Sequence, residues 1–281
     1  MYRSFYRLQR RPFTKTPDPE FLYQGATHGE ALARLEHGVE ERELVILTGE
    51  IGTGKTTLSR ALIDHLDQRH RVVLIVHPRL TASQLIEQIA IRLGVDPLPV
   101  RKSALVDALA TQLYHLDEQG CTPVVIIDEA QLIGHKSVFD ELRLLCNIQL
   151  DDRSLLSLIL IGQPELKQKL ARSAYRAFAE RVGLAYHLGA FDLVETRAYI
   201  EHRVRVAGRA EPLFTADAVA QIHESACGIP RRINNIAANA LLTGFGRERD
   251  PVDVDTVRDV VFDLARFLGA VYREPAAVQQ R

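Results

Sequence analysis

The sequence predicts an α/β fold, a parallel sheet with helices on both faces followed by a small all-helical unit. Three observations lead there. Short β-branched runs recur before Gly189, each ended by turn or polar residues, as strands buried on both faces should be. Helical patterns lie between these runs, and strands alternating with helices mean a parallel sheet. After about Gly189 no strand run remains, and helical patterns alone follow.

The strand runs cover residues 45–48, 72–76, 123–128 and 155–162. A first helix is expected over 56–66. "TASQLIEQIAIRLG" spaces its apolar residues by three and four, with Thr81 or Ser83 as N-cap. "SALVDALATQLYHLDEQG" repeats that pattern and closes on Gly120. Beyond Gly189, Asp192 with Glu195 makes a capping-box start, Thr215 and Asp253 each open a helix, and Pro230 suits a first helical position. The tail "REPAAVQQR" reads as unstructured.

Composition bounds the function. Of 281 residues, 46% are hydrophobic and 25% charged, an ordinary globular mixture. A net charge of −1 means that the chain as a whole is no electrostatic nucleic-acid binder, although a local basic patch is compatible with it. Cys121, Cys146 and Cys227 form no CxxC pair and suit free thiols in a reducing cytosol. The apolar runs are too short to span a bilayer, and no signal peptide is visible, so a cytoplasmic protein is expected. Arg3, Arg7, Arg10, Arg11 and Lys15 precede any acid, with Tyr2, Phe5, Tyr6 and Phe13 between them. A transit peptide, a contact with an anionic surface, and aromatics packed on a core between solvated arginines all fit that pattern.

The chemistry is concentrated in Gly49-Glu50-Ile51-Gly52-Thr53-Gly54-Lys55-Thr56-Thr57, which contains G-x-x-x-x-G-K-[ST] between a strand and a helix. Its glycines let successive backbone N–H groups point inward, and the helix N-terminus adds partial positive charge. Lys55 would reach the β- and γ-phosphates of ATP, and Thr56 would offer its hydroxyl to Mg2+. "VVIIDEAQ" supplies the acids: Asp128 would hold Mg2+ directly or through water, and Glu129 would orient and polarise the attacking water. A glycine turn with a surface lysine, and a plain strand end, are the structural alternatives.

These residues and the helical C-terminal unit resemble an AAA+ ATPase. "FTKTPDPEFLYQGATHGEALARLEHGV", "LILIGQPEL" and "GIPRRINNIAANALL" narrow the resemblance to the general secretion pathway protein A type, the ExeA family, over nearly the whole chain. The resemblance implies a nucleotide-binding core over 1–188, with 1–43 wrapping the nucleotide pocket, a helical lid over 189–270 and a flexible tail over 271–281. It implies that Gln163 senses the γ-phosphate and that Arg181 is an arginine finger given to a neighbouring subunit, with Arg172 and Arg176 as rivals. It places Arg231, or its rival Arg232, on the γ-phosphate from the lid, and Tyr23 on the adenine side unless it is core packing. A finger given in trans implies a ring or filament.

What ATP is spent on is less defined. Secretion members of the family carry a transmembrane segment and a peptidoglycan-binding region after the ATPase; the sequence read to Arg281 shows neither, which leads to the expectation of a soluble form. Related soluble ATPases such as MuB, TniB and TnsC regulate transposition on double-stranded DNA with a transposase. The basic start, the Arg231-Arg232 pair and "RVRVAGR" would then contact phosphates, and being solvated or reading the nucleotide are equal alternatives for those arginines. An ATP-dependent DNA-binding transposition regulator is therefore the expectation. A soluble ATPase for a secretion or pilus assembly protein, and a non-hydrolysing scaffold, are the alternatives.

Overall fold

A computed structural model describes residues 1–14, 19–151, 153–269 and 272. The expected tail therefore lies outside the described residues apart from Tyr272, as do Lys15 and the residues Thr16, Pro17 and Asp18 of the N-terminal motif. The strands are β1 (Leu44–Gly49), β2 (His70–Ile75), β3 (Thr122–Ile127), β4 (Ser157–Gly162) and β5 (Val182–Leu188). The helices before β4 are α1 (Tyr2–Phe5), α2 (Ala26–Glu40), α3 (Lys55–His65), α4 (Ala82–Leu93), α5 (Lys102–Glu118) and α6 (Lys136–Leu145). After β4 come α7 (Pro164–Leu170), α8 (Arg176–Ala179), α9 (Leu193–Val206), α10 (Ala216–Ala226), α11 (Pro230–Gly246) and α12 (Val254–Leu268).

The chain forms two compact units. One comprises Gly29–Ile51 and Lys55–Leu188; the other comprises Met1–His28, Gly52–Gly54 and Gly189–Arg281. The first holds a parallel sheet in the order β2-β3-β4-β1-β5. Val124, Val125, Ile126 and Ile127 are all buried, and successive strand residues point to opposite faces, so both faces of β3 are covered. The register Ile127↔Leu160 and Leu160↔Ile46 brings the C-terminal ends of β3, β4 and β1 to one edge of the sheet. Parallel strands leave their ligand-binding loops at that edge.

Four strands were legible as apolar runs; β5 was not. Its residues alternate between partly buried and exposed, because it is an edge strand beside β1. An edge strand needs no continuous apolar run. Helices α2, α6 and α7 also went unread. Where caps were named, the geometry is plain: Thr81 accepts from the Gln84 amide and Asp192 from the Glu195 amide, each in a reciprocal capping box. Thr215 and Asp253 cap α10 and α12 by accepting from the Ala218 and Thr256 amides, without a reciprocal bond, and Pro230 opens α11.

Met1–His28, expected with the α/β core, gathers with the helices beyond Gly189. The reason is hydrophobic: Tyr6, Leu8, Phe13 and Phe21 are buried among side chains of α9 to α12. Polar groups complete the strap. The Tyr6 hydroxyl donates to the Arg249 carbonyl at 3.1 Å, and the Gln9 amide donates to the Ala207 carbonyl at 2.8 Å. Burial, with Asp250 adding to it, pushes the Tyr6 hydroxyl pKa up to about 12.

Two arginines of "RVRVAGR" face inward. Arg203 donates to the Pro12 carbonyl at 2.6 Å and lies over the Phe21 ring at 4.9 Å. Arg209 pairs with Asp250 at 2.7 Å and also donates to the carbonyls of Tyr6, Glu211 and Pro212. Both guanidinium groups are engaged with protein oxygens, which leaves Arg205 as the exposed arginine of that stretch. Arg209 is buried whereas Asp250 is exposed, so removing the guanidinium leaves a solvated carboxylate but takes a donor from the carbonyls of Tyr6, Glu211 and Pro212. Arg209→Met should therefore lower unfolding stability in urea by about 1–3 kcal/mol; a loss below about 0.5 kcal/mol would mean that these bonds do not hold the N-terminal strap.

Candidate nucleotide-binding site

In the α/β unit, β1 runs out at Gly49 and α3 begins at Lys55. The Lys55 amine is buried and donates to the carbonyls of Gly49 at 2.7 Å and Glu50 at 2.8 Å. A flexible ammonium held on its own loop is poised to turn to a phosphate oxygen. Thr56, next along α3, donates its hydroxyl to Asp128 Oδ2 at 3.0 Å. Thr57, half-buried, follows it on the same helix turn.

Asp128 lies just past β3 and is buried. Burial pushes its carboxyl pKa upward, and the neighbouring Glu129 charge adds to this. The Glu129 amide on Oδ1 at 2.8 Å, the Thr56 hydroxyl and the Lys55 charge oppose it. Glu129 itself adopts a left-handed conformation at φ 54°, which few residues other than glycine take up. Its Oε2 accepts from Gln163 Nε2 at 3.1 Å and from Gln131 Nε2 at 2.5 Å. The Gln163 amide donates to Gln131 Oε1 at 3.0 Å. Gln131 thus bridges the tips of β3 and β4. No role was read for it in "DEAQ", because an amide's use depends on what lies across from it. Lys169 supports the same turn by donating to the carbonyls of Gln131 and Ile133, each at 2.7 Å.

In the helical unit, the loop tip has Gly52 at φ +90° and Gly54 at φ +103°, backbone that L side chains rarely adopt. The Arg231 amide donates to the Gly52 carbonyl at 3.2 Å, so the start of α11 meets the tip directly. The Arg231 side chain is exposed, and Arg232 is half-buried. His28 reaches the Thr53 carbonyl at 2.8 Å from the other side. Tyr23 packs edge-on against Phe191 at 5.7 Å and Tyr199 at 5.8 Å, and burial raises its hydroxyl pKa.

The remaining named arginines are exposed in the α/β unit. Arg181 donates to Asn147 Oδ1, Arg176 pairs with Glu180 at 2.8 Å, and Arg172 precedes α8. Among the described residues no cluster of three or more His, Cys, Asp or Glu could hold a metal ion unaided. A magnesium ion at Thr56 and Asp128 would thus need further oxygens, such as those a triphosphate carries. In the α/β unit, the buried amine and the hydroxyl–carboxylate pair fit such a ligand. No helix among the described residues is long and apolar enough to cross a membrane.

The chain has the α/β fold of phosphate-loop AAA+ proteins, and residues 38–170 match the family described as AAA domain. The chain is similar to General secretion pathway protein A of Aeromonas hydrophila, 39% identical over 252 residues, 88% of this chain and 45% of that protein. The resemblance read from "TPDPEFLY", "GQPEL" and "GIPRR" is borne out by that relative, although the chain spans less than half of the relative's length. Among solved structures, the Aeropyrum pernix ORC2 protein, in ADPNP–ADP complexes, superimposes with a TM-score of 0.64 at 19% identity, covering 91% of this chain and 72% of that one. The RuvB Holliday junction branch migration motor of Thermotoga maritima gives 0.56 at 20% identity, covering 91% and 74%. These two likenesses establish the fold.

The buried charge of Asp128 has a stability consequence. Its folded pKa is raised, so folding favours the protonated form, and stability falls as pH climbs from the ordinary carboxylate value through the raised one. Asp128→Asn should raise the melting temperature of the nucleotide-free protein at pH 7 by about 2 °C or more and abolish magnesium-dependent nucleotide binding. A lower melting temperature would show that the bonds from Thr56 and Glu129 outweigh desolvation.

Proposed function

We propose that this protein is an ATPase that binds Mg-ATP at the Gly49–Thr57 loop, and that turnover serves the assembly of a secretion or envelope partner. The observation that carries the catalytic part is the hydrogen bond from Thr56 to Asp128, with the Glu129–Gln131–Gln163 cluster beside it. Magnesium, when bound, supplies positive charge that polarises the phosphates. Loop amides and the Lys55 ammonium bind and orient the β- and γ-phosphates. Thr56 and Asp128 hold the metal. Glu129 accepts a proton from the attacking water, and Gln163 orients that water through its amide.

Arg181 is our choice for the finger, because its guanidinium donates to the neutral amide oxygen of Asn147 whereas Arg176 is paired with the Glu180 carboxylate. A planar, permanently charged guanidinium suits the spread charge of a transferring phosphoryl group. Used in trans it requires a ring or filament of this chain. Arg231 serves as the second arginine and Tyr23 as an adenine contact. Use of ATP supports a cytoplasmic site of action.

For the partner we favour the secretion reading over transposition. Its support is the relative named General secretion pathway protein A. The DNA reading loses much of its footing, because Arg203 and Arg209 are spent on internal carbonyls and Asp250. Arg10, from the basic start, pairs with Glu20.

Lys55→Ala should weaken ATP binding about 100-fold or more, the worth of two charge-assisted contacts; unchanged affinity by fluorescent-nucleotide titration overturns the loop assignment. Glu129→Gln should bind ATP normally and hydrolyse it about 100-fold to 10,000-fold more slowly. Turnover at the unmodified rate, measured as phosphate release, would remove Glu129 from the mechanism. Phosphate release unaffected by duplex DNA at low salt is also expected; clear stimulation would restore the transposition reading.

A further inference from the structure

His28 is a buried histidine with no place in the sequence-level account of the loop. Its Nε2 lies 2.8 Å from the Thr53 carbonyl oxygen. A carbonyl only accepts, so Nε2 carries the proton. Nδ1 is buried without a partner, which suits the neutral ring. Burial, the larger influence, also lowers the pKa of the ring. The ring leans on Phe191 with centroids 5.0 Å apart, and the neighbouring Thr27 hydroxyl donates to Glu195 in the capping box of α9 at 2.9 Å. The imidazole is therefore fixed from behind.

The bond has a geometric consequence. The Thr53–Gly54 peptide is trans, and in a trans peptide the carbonyl and the following N–H point in opposite directions. Holding the Thr53 carbonyl on His28 aims the Gly54 N–H away from the imidazole. His28 also explains the smallness of Gly54: a Cβ there would sit 2.8 Å from Nε2. The glycines on either side of Thr53, both at positive φ, leave this peptide free to flip, so an external hold matters.

We propose that His28 is a positioning residue that sets the orientation of the Thr53–Gly54 peptide through its Nε2–H, presenting the Gly54 amide to the bound triphosphate. This rests on the reading of the loop as a nucleotide site. His28 touches no phosphate. It acts by removing a competing peptide orientation, so it affects affinity for nucleotides that carry phosphates and leaves the sheet untouched.

The test compares three substitutions in the full chain, with ATP binding followed by fluorescent-nucleotide titration and folding by thermal melting without nucleotide. His28→Phe keeps the ring against Phe191 and removes the donor. His28→Gln places an N–H near the Nε2 position, whereas His28→Asn reaches only as far as Nδ1. ATP affinity should fall about 10-fold in Phe and Asn, the effect of losing the one hydrogen bond from Nε2–H that orients this peptide, and stay within about 3-fold of the unsubstituted protein in Gln. A Gln variant as weak as Asn, or a folded Phe variant that binds ATP normally, overturns the proposal. Lys55→Ala runs alongside: if the unsubstituted protein binds ATP and Lys55→Ala does not, failure of the His28 series counts against His28 alone. If neither binds, the nucleotide reading itself falls.

Discussion

The hydrogen bond between Thr56 and Asp128 is the contact on which the geometry of the candidate site depends. The two residues follow strands that are not neighbours: β4 lies between β3 and β1. The loop after β1 and the acid after β3 can meet only if the intervening strand is in register with both. That register is held by Ile127↔Leu160 and Leu160↔Ile46, and the same strand then delivers Gln163 to the edge. The continuous burial of β1 and β4 sustains the register, since the side chains of both faces are covered. A buried carboxylate is costly there, and the hydroxyl and amide donors around Asp128 offset part of that cost.

The acidic pair and its amides form one polar network. Gln131 donates to Glu129 and accepts from the Gln163 amide, while Lys169 holds the Gln131 carbonyl. Each polar atom in such a cluster restricts the next, so the Glu129 carboxylate is kept in one orientation. The left-handed backbone at Glu129 belongs to the same arrangement, because strained φ persists only where surrounding contacts over-determine it.

The helical unit uses its basic residues differently from what their sequence spacing implied. Arg203 and Arg209 lie inside it, tying Pro12, Tyr6 and Asp250 together. Arginine suits this work because a planar guanidinium satisfies several carbonyl oxygens at once and stacks on aromatic faces. The N-terminal aromatics take the packing role that was one of their three readings, and the Thr27–Glu195 and His28–Thr53 bonds then carry the strap on to the loop tip.

Local chemistry was enough to read several parts from the chain alone. The phosphate loop is contiguous, so its glycines, Lys55 and Thr56 announce themselves; the caps at Thr81, Asp192, Thr215 and Asp253 depend on residues only three apart. The buried strands show as apolar runs because both of their faces are covered. Pairings between distant segments were decided elsewhere. β5 was hidden because an edge strand can alternate, Gln131 because its partner Gln163 follows another strand, and His28 because its partner lies 25 positions away. Charge in a sequence does not say which way an arginine points; only the surrounding carbonyls and rings, assembled by folding, turned Arg203 and Arg209 inward.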